Sequence, residues 1–185
     1  QFEQAQKLGF TSGDAHDKEL HPEYSRIPIN YGNQPSIQTA FIFNELDRPD
    51  LSQYWARKVV ETVFSGLEPG TGYNGDEDQG LMGSLAVLMK IGLFQLNGGT
   101  DSNPVYYLGS PIFDKIRIQL HPDFYEGEKL VIETINNSDR NVYVEKVRLD
   151  DEVVGGYTIT HQQISEGGHV ILEMNGGHEW TRMDR

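Results

Sequence analysis

The chain has 185 residues, of which 37% are hydrophobic, and carries a formal net charge of -13 from 28 acidic and 15 basic residues. That length can bury a sizeable core, while the acid excess excludes a phosphate-binding nucleic-acid surface, which needs clustered cations. With no cysteine, disulfides, thiolate-bound zinc and thiol nucleophiles are excluded. No apolar run approaches the length of a membrane span, and Gln1-Phe2-Glu3-Gln4 carries no secretory signature.

Apolar periodicity orders the elements. Ile37, Ala40, Phe41 and Leu46 suit one face of a helix from Pro35 to Leu46, entered through Asn33 and Pro35. Pro49-Asp50 opens a second helix with Leu51, Trp55, Val59 and Val63 at close to four-residue spacing and Gly66 as its stop. The breaker-rich stretch Glu68-Pro69-Gly70-Thr71-Gly72 follows, then a third helix from Leu81 to Lys90 that turns Leu81, Leu85, Leu88 and Met89 to the core, with Gly92 past its end. Beyond Asn97-Gly98-Gly99 the period falls to two. Ile116, Ile118 and Leu120, then Leu130 and Ile132, then Val142, Val144 and Lys146 alternate with their neighbours, and the turn segments Glu126-Gly127 and Asn136-Asn137-Ser138-Asp139 join them as antiparallel strands. Val170, Leu172 and Met174 make a last strand. Helices first and a small β unit second, divided near Asn97, give an α+β chain with domains 1–97 and 98–185.

Between the second and third helices lies Gly75-Asp76-Glu77-Asp78-Gln79-Gly80, three consecutive carboxylates flanked by glycines and opening onto an apolar helix. Like charges so close resist joint ionisation, which suits one of them to general-base work. Carboxylates also favour helix N-termini and Asp-Gly turns, so the residues alone leave a structural reading open beside the chemical one. An EF-hand explains them poorly, because Leu81 and Val87 stand where its glycine and bidentate glutamate belong. The six histidines, at 16, 21, 121, 161, 169 and 178, show no paired zinc spacing. Gly70-Thr71-Gly72 lacks the strand-to-helix context of a phosphate loop and reads as a turn. Trp55 reads as core and Trp180 as an edge contact; Tyr106 and Tyr107 stand open between packing and a glycan surface.

Three blocks resemble the C-terminal part of family 92 glycoside hydrolases, calcium-dependent exo-acting alpha-mannosidases. Tyr31-Gly32-Asn33-Gln34-Pro35-Ser36 is similar to the family's G-N-E-P-S/G-H-H segment and is followed by Phe43-Asn44. Gly72-Tyr73-Asn74-Gly75-Asp76-Glu77-Asp78-Gln79-Gly80 is similar to G-Y-x-G-[DN]-[DE]-D-x-G-Q and leads to Ile91-Gly92-Leu93-Phe94, like L-G-F-Y. Tyr107-Leu108-Gly109-Ser110-Pro111-Ile112-Phe113-Asp114-Lys115 is similar to Y-x-x-G-S-P-L-F-D-K. Order and approximate spacing agree over about residues 14 to 180. The sequence departs from the pattern at Gln34, at Ile37-Gln38 in place of the His pair, and at Leu81.

The resemblance implies that residues 1–97 are the closing helices of an (α/α)6 toroid, that 98–185 form an antiparallel β-sandwich-like domain, and that the chain is the last part of a longer enzyme. It implies an inverting exo-alpha-mannosidase acting on mannose-containing glycans, secreted, periplasmic or at the cell surface, with this chain packed against the N-terminal part of its parent or self-associating. Asp78 matches the general base and Asp76 the carboxylate that orients it, while no segment here matches the family's general acid. Asn33 and Gln34 match positions that contact sugar or the calcium ion. A non-catalytic carbohydrate-binding or structural module is the alternative reading.

Overall fold

In a computed structural model that describes residues 1–11, 27–68, 71, 72, 75 and 78–176, helices occupy the first half of the chain and strands the second. Helix α1 (Phe2–Lys7), two 3-10 segments (Gln34–Ser36 and Ile42–Leu46), α2 (Pro49–Thr62) and α3 (Leu81–Ile91) are followed by β1 (Leu93–Phe94), β2 (Val105–Leu108), β3 (Lys115–Gln119), β4 (Lys129–Ile135), β5 (Tyr143–Leu149), β6 (Glu152–Val154), β7 (Thr158–Thr160), α4 (His161–Glu166) and β8 (Gly168–Asn175).

Helix α2 starts where the sequence places it, because Pro49 needs no hydrogen-bond partner at the first helical position and Asp50 favours the first turn. Both Asp50 oxygens accept from Arg48, at 2.8 and 2.7 Å. Trp55, Val59 and Val63 are buried. Phe2 of α1 stacks on Trp55 with ring centroids 4.8 Å apart, and Phe10 meets Trp55 and Tyr31 edge-on. Met82, Leu85 and Met89 of α3 complete this cluster. Leu85 and Met89 of α3 are buried and Leu88 packs against the core as expected, but at the start of the helix Met82 takes the core position while Leu81 is 39% exposed.

The helix expected from Pro35 to Leu46 is instead two 3-10 segments joined by turns. The buried Tyr31 hydroxyl accepts the N–H of Ala40 at 3.0 Å, taking a donor that an α-helix would have bonded four residues back. The hydrogen bonds from Thr39 to Ser36 and from Phe41 to Gln38 span three residues. Ala40 and Phe41 still reach the core, whereas Leu46 is 64% exposed.

The strands form two sheets, β1-β2-β7 and β3-β4-β8-β5-β6. Leu93, Leu108 and Ile159 of the first share one core with Leu130, Ile132, Val170, Leu172 and Met174 of the second. The expected antiparallel order fails at one place: β8 lies between β4 and β5 and runs parallel to β4. Asn136-Asn137-Ser138-Asp139 therefore joins two strands that are not neighbours. A β-bulge between Val144 and Lys146 shifts the inward face, so that Val147 rather than Lys146 is buried after Val144.

Two buried polar side chains of α2 tie the halves together. Gln53 Oε1 accepts the Val144 N–H at 2.9 Å. Arg57 donates to Ser110 Oγ at 3.1 Å, to Asn137 Oδ1 at 2.8 Å and to the Pro111 carbonyl, and burial lowers its pKa from the ordinary guanidinium value. The segment around Pro111 also presses on α3: Gly92 (φ 75°) closes that helix, and a Cβ there would lie 2.7 Å from the Pro111 ring.

Candidate active site

The site grows from two loops. In the first, Asn30 Oδ1 accepts the Gly32 N–H at 2.9 Å and Ser36 Oγ accepts the Asn30 N–H at 3.0 Å, which curls the segment over the buried Tyr31. Burial raises the Tyr31 phenol far above its ordinary pKa, so it stays protonated and holds Ala40. Asn33 is extended, at φ -153° and ψ 151°, and ends that curl; Gln34-Pro35-Ser36 then turns as a 3-10 segment with an uncapped N-terminus on its own loop.

The cap comes from the second loop. Asp78 Oδ2 accepts the Gln34 N–H at 3.1 Å, from 44 residues away in sequence. Among the described residues the other Asp78 oxygen has no hydrogen-bond partner. A carboxylate at the N-terminus of a turn is favoured by the free N–H groups there. The backbone holding it is strained: Asp78 (φ 52°), Gln79 (φ 63°) and Gly80 (φ 88°) are all left-handed before α3 begins. A left-handed residue other than glycine costs about 1–2 kcal/mol, and such strain collects at functional sites. Asp is among the few side chains that visit this region readily. The Leu81 N–H on the Asp78 carbonyl and Ser84 Oγ donating to the Gly80 carbonyl, at 3.3 and 2.8 Å, fix the loop to the helix.

Glycines let the two loops meet. Gly75 (φ 135°) lies so close to Gly32 that a Cβ on it would be 2.6 Å from the Gly32 Cα. Beneath them is a cavity of about 110 Å³ bordered by Gly32, Gly66, Gly72, Gly75, Met82 and Lys90.

The structure thus brings together three of the four residues singled out from sequence. Asp78 is half-buried, Asn33 is half-buried and Gln34 is exposed, and it is the Gln34 backbone rather than its side chain that meets Asp78. Asp76, with Glu77, Tyr73 and Asn74 of the same block, lies outside the described residues. The side-chain carbonyl oxygens of Asn33 and Gln34 and the second oxygen of Asp78 are hard donors of the kind calcium takes. They are too few for its usual six to eight ligands, and among the described residues no three His, Cys, Asp or Glu cluster for a metal.

Other residues resolve more simply. Trp55 is core, and the Tyr107 hydroxyl donates to Glu45, with burial first and that carboxylate second pushing its pKa up to about 12. Tyr106 packs against the strand core. Trp180, His16, His21 and His178 lie outside the described residues. Sequence reasoning missed the structural part of Ser110 and Pro111, although an arginine in the apolar stripe of α2 was the available signal that a buried acceptor awaited it.

Residues 3–176 match the model of the glycosyl hydrolase family 92 catalytic domain, and the chain belongs to that family. It is 31% identical over 150 residues to an uncharacterized secreted glycosidase of Arthroderma benhamiae, covering 80% of this chain and 18% of that protein. It superposes with a TM-score of 0.70 on a family GH92 alpha-mannosidase of Bacteroides thetaiotaomicron in complex with mannoimidazole, at 22% identity, over 80% of this chain and 18% of that one. A family GH92 inverting mannosidase of the same organism gives a TM-score of 0.68 at 23% identity over 95% of this chain and 24% of that one. The chain therefore spans about a fifth of the length of these relatives. No helix among the described residues is long and apolar enough to cross a membrane.

Proposed function

We propose that the chain is the C-terminal piece of a secreted, inverting exo-alpha-mannosidase that trims mannose-containing glycans, and that it supplies the general base. The observation that carries this is the Asp78 carboxylate, held by one oxygen on the Gln34 N–H, without a partner at the other among the described residues, and presented on strained backbone where two loops converge. In an inverting hydrolysis a water attacks the anomeric carbon while a carboxylate takes its proton and an acid on the opposite face protonates the departing oxygen. Asp78 takes that proton and Asp76 orients it; the acid comes from the part of the parent that this chain does not span. Asn33 and Gln34 are the residues that would contact the sugar and lend side-chain carbonyls to a calcium ion, which would polarise sugar hydroxyls. Helices of residues 1–97 close an (α/α)6 toroid and 98–185 form its β-sandwich-like companion. Exposed Ile42, Leu46, Leu67 and Val87 then pack on the rest of the enzyme, or on a second copy where that part is missing.

Asp78→Asn in the intact parent enzyme tests this. Asparagine keeps an acceptor for the Gln34 N–H and tolerates the left-handed backbone, so the turn survives while the base is gone. Turnover of an alpha-mannoside should fall about a thousandfold with KM within a few-fold. An active Asp78→Asn enzyme would leave the carboxylate as a turn cap only and favour a module that binds carbohydrate without cleaving it.

A further inference from the structure

In a chain of net charge -13, the outer face of the five-stranded sheet gathers cations. Pairing sets the pattern: Arg117 on β3 lies opposite Val131 on β4, which lies opposite His169 on β8, while Lys115 pairs with Glu133 and Gln119 with Lys129. The result is an open groove of about 320 Å³ bordered by Lys115, Arg117, Lys129, Asp150 and His169. Its floor is Val131, which is 8% exposed although it sits on the outer face, because the long stems around it cover it.

The charges in this groove are not equally spent. Glu133 accepts from Lys115 at 2.6 Å and lies 3.1 Å from His169 Nε2; the bond to Lys115, first, holds its pKa below the usual carboxylate range, so it stays an anion and satisfies these two. One oxygen of Asp150 is occupied by the His169 N–H at 2.8 Å. That approach needs Gly168 (φ 118°), where a Cβ would lie 2.7 Å from the Asp150 carboxylate. Arg117 and Lys129 have no ion-pair partner among the described residues, and both are exposed. Two cations left open across an apolar floor, one of them a planar guanidinium, match a tetrahedral oxyanion better than a neutral sugar.

We propose that this groove binds a phosphomonoester carried by a sugar, with Arg117 and Lys129 as its anion contacts. The oxyanion part stands on the groove alone; that the ester rides on a sugar rests on the glycan reading above. The site lies on the strand half, apart from the Asp78 loops, so it would hold a charged branch of a substrate rather than take part in cleavage.

Calorimetry on the intact parent enzyme at low ionic strength, with inorganic phosphate, a hexose 6-phosphate and the unphosphorylated hexose, tests it. The hexose phosphate should bind and the Arg117→Gln/Lys129→Gln variant should lose at least tenfold in affinity, while Lys146→Gln, which removes a cation outside the groove, should not. Turnover of a neutral mannoside should be the same in all three proteins, so failure of the catalytic reading would appear as an inactive wild type with phosphate binding intact. Inorganic phosphate bound as tightly as the hexose phosphate would remove the sugar from the proposal. Absence of phosphate binding, or an equal loss in Lys146→Gln, would overturn the groove itself; unchanged melting of the variants keeps either result interpretable.

Discussion

The strand half and the loops of the helical half are held by different kinds of bond. In the five-stranded sheet each strand is fixed by a ladder of backbone pairs, so position is shared among many interactions. The Tyr31–Ser36 and Asp78–Gly80 loops each have bonds of their own, but among the described residues they meet through few contacts: one carboxylate on the Gln34 N–H and one glycine against another. Redundancy makes a scaffold tolerant, and its absence leaves a site precise but fragile. Substitutions in the loops should therefore disturb activity out of proportion to stability, and substitutions in the scaffold the reverse.

The largest expected effect breaks the loop side of that comparison. Beyond the thousandfold loss at Asp78→Asn, Asp76→Asn should cost less, as an orienting carboxylate, and Glu77→Gln should be nearly silent in kcat. Gly75→Ala should also impair turnover strongly, because its Cβ cannot sit 2.6 Å from the Gly32 Cα without driving the loops apart. Kinetics of these variants beside their thermal melts would check the asymmetry. A dead Glu77→Gln beside a normal Asp78→Asn would move the base by one residue.

The joint between the halves comes next. Arg57→Ala removes the donor to the buried Ser110 hydroxyl, to the half-buried Asn137 amide oxygen and to the Pro111 carbonyl, which keeps Asn137 Nδ2, and should lower the unfolding free energy by about 2–4 kcal/mol. Gln53→Ala removes one acceptor from the buried Val144 N–H and should cost about 1–2 kcal/mol. Denaturant titrations would rank the two. Equal and negligible effects would mean that the halves are held by apolar packing alone.

These joints also mark where sequence reading succeeds and fails. The four-residue recurrence through Trp55, Val59 and Val63 is a local pattern with a local cause, and α2 follows it. Alternation through Ile116, Ile118, Leu130 and Ile132 is equally local, and β3 and β4 follow it. Tyr31 interrupts the 35–46 helix from outside the segment, a contact invisible to periodicity. Gln53 bonds to Val144, beside the bulge that moves the inward position to Val147, from a helix 91 residues away. Strand β8, last in the sequence, lies between β4 and β5, a placement that local alternation cannot reveal. At the site, the types Asn33, Gln34 and Asp78 were legible, but their convergence was not, because it uses a backbone N–H that every residue has.

The smallest effect sharpens the scaffold side. Glu133 has a lowered pKa because Lys115 bonds to it, with His169 adding to the shift. A carboxylate whose folded pKa lies below its unfolded one stabilises the fold above the unfolded value, near 4.5, and loses that contribution as pH falls through the folded value. Lys115→Gln should therefore raise the Glu133 midpoint in a carboxylate NMR titration. Because Glu133 is open to solvent, the loss of stability at pH 7 should be slight, and it should vanish in acid, where both proteins carry a protonated Glu133. His169 remains beside Glu133 in the variant, so the midpoint should not return fully to its ordinary value; His169→Gln added to Lys115→Gln should complete the return. A midpoint unmoved by both changes would mean that the pairing seen across β3, β4 and β8 has no electrostatic weight, leaving the backbone ladder as the whole of what holds that face.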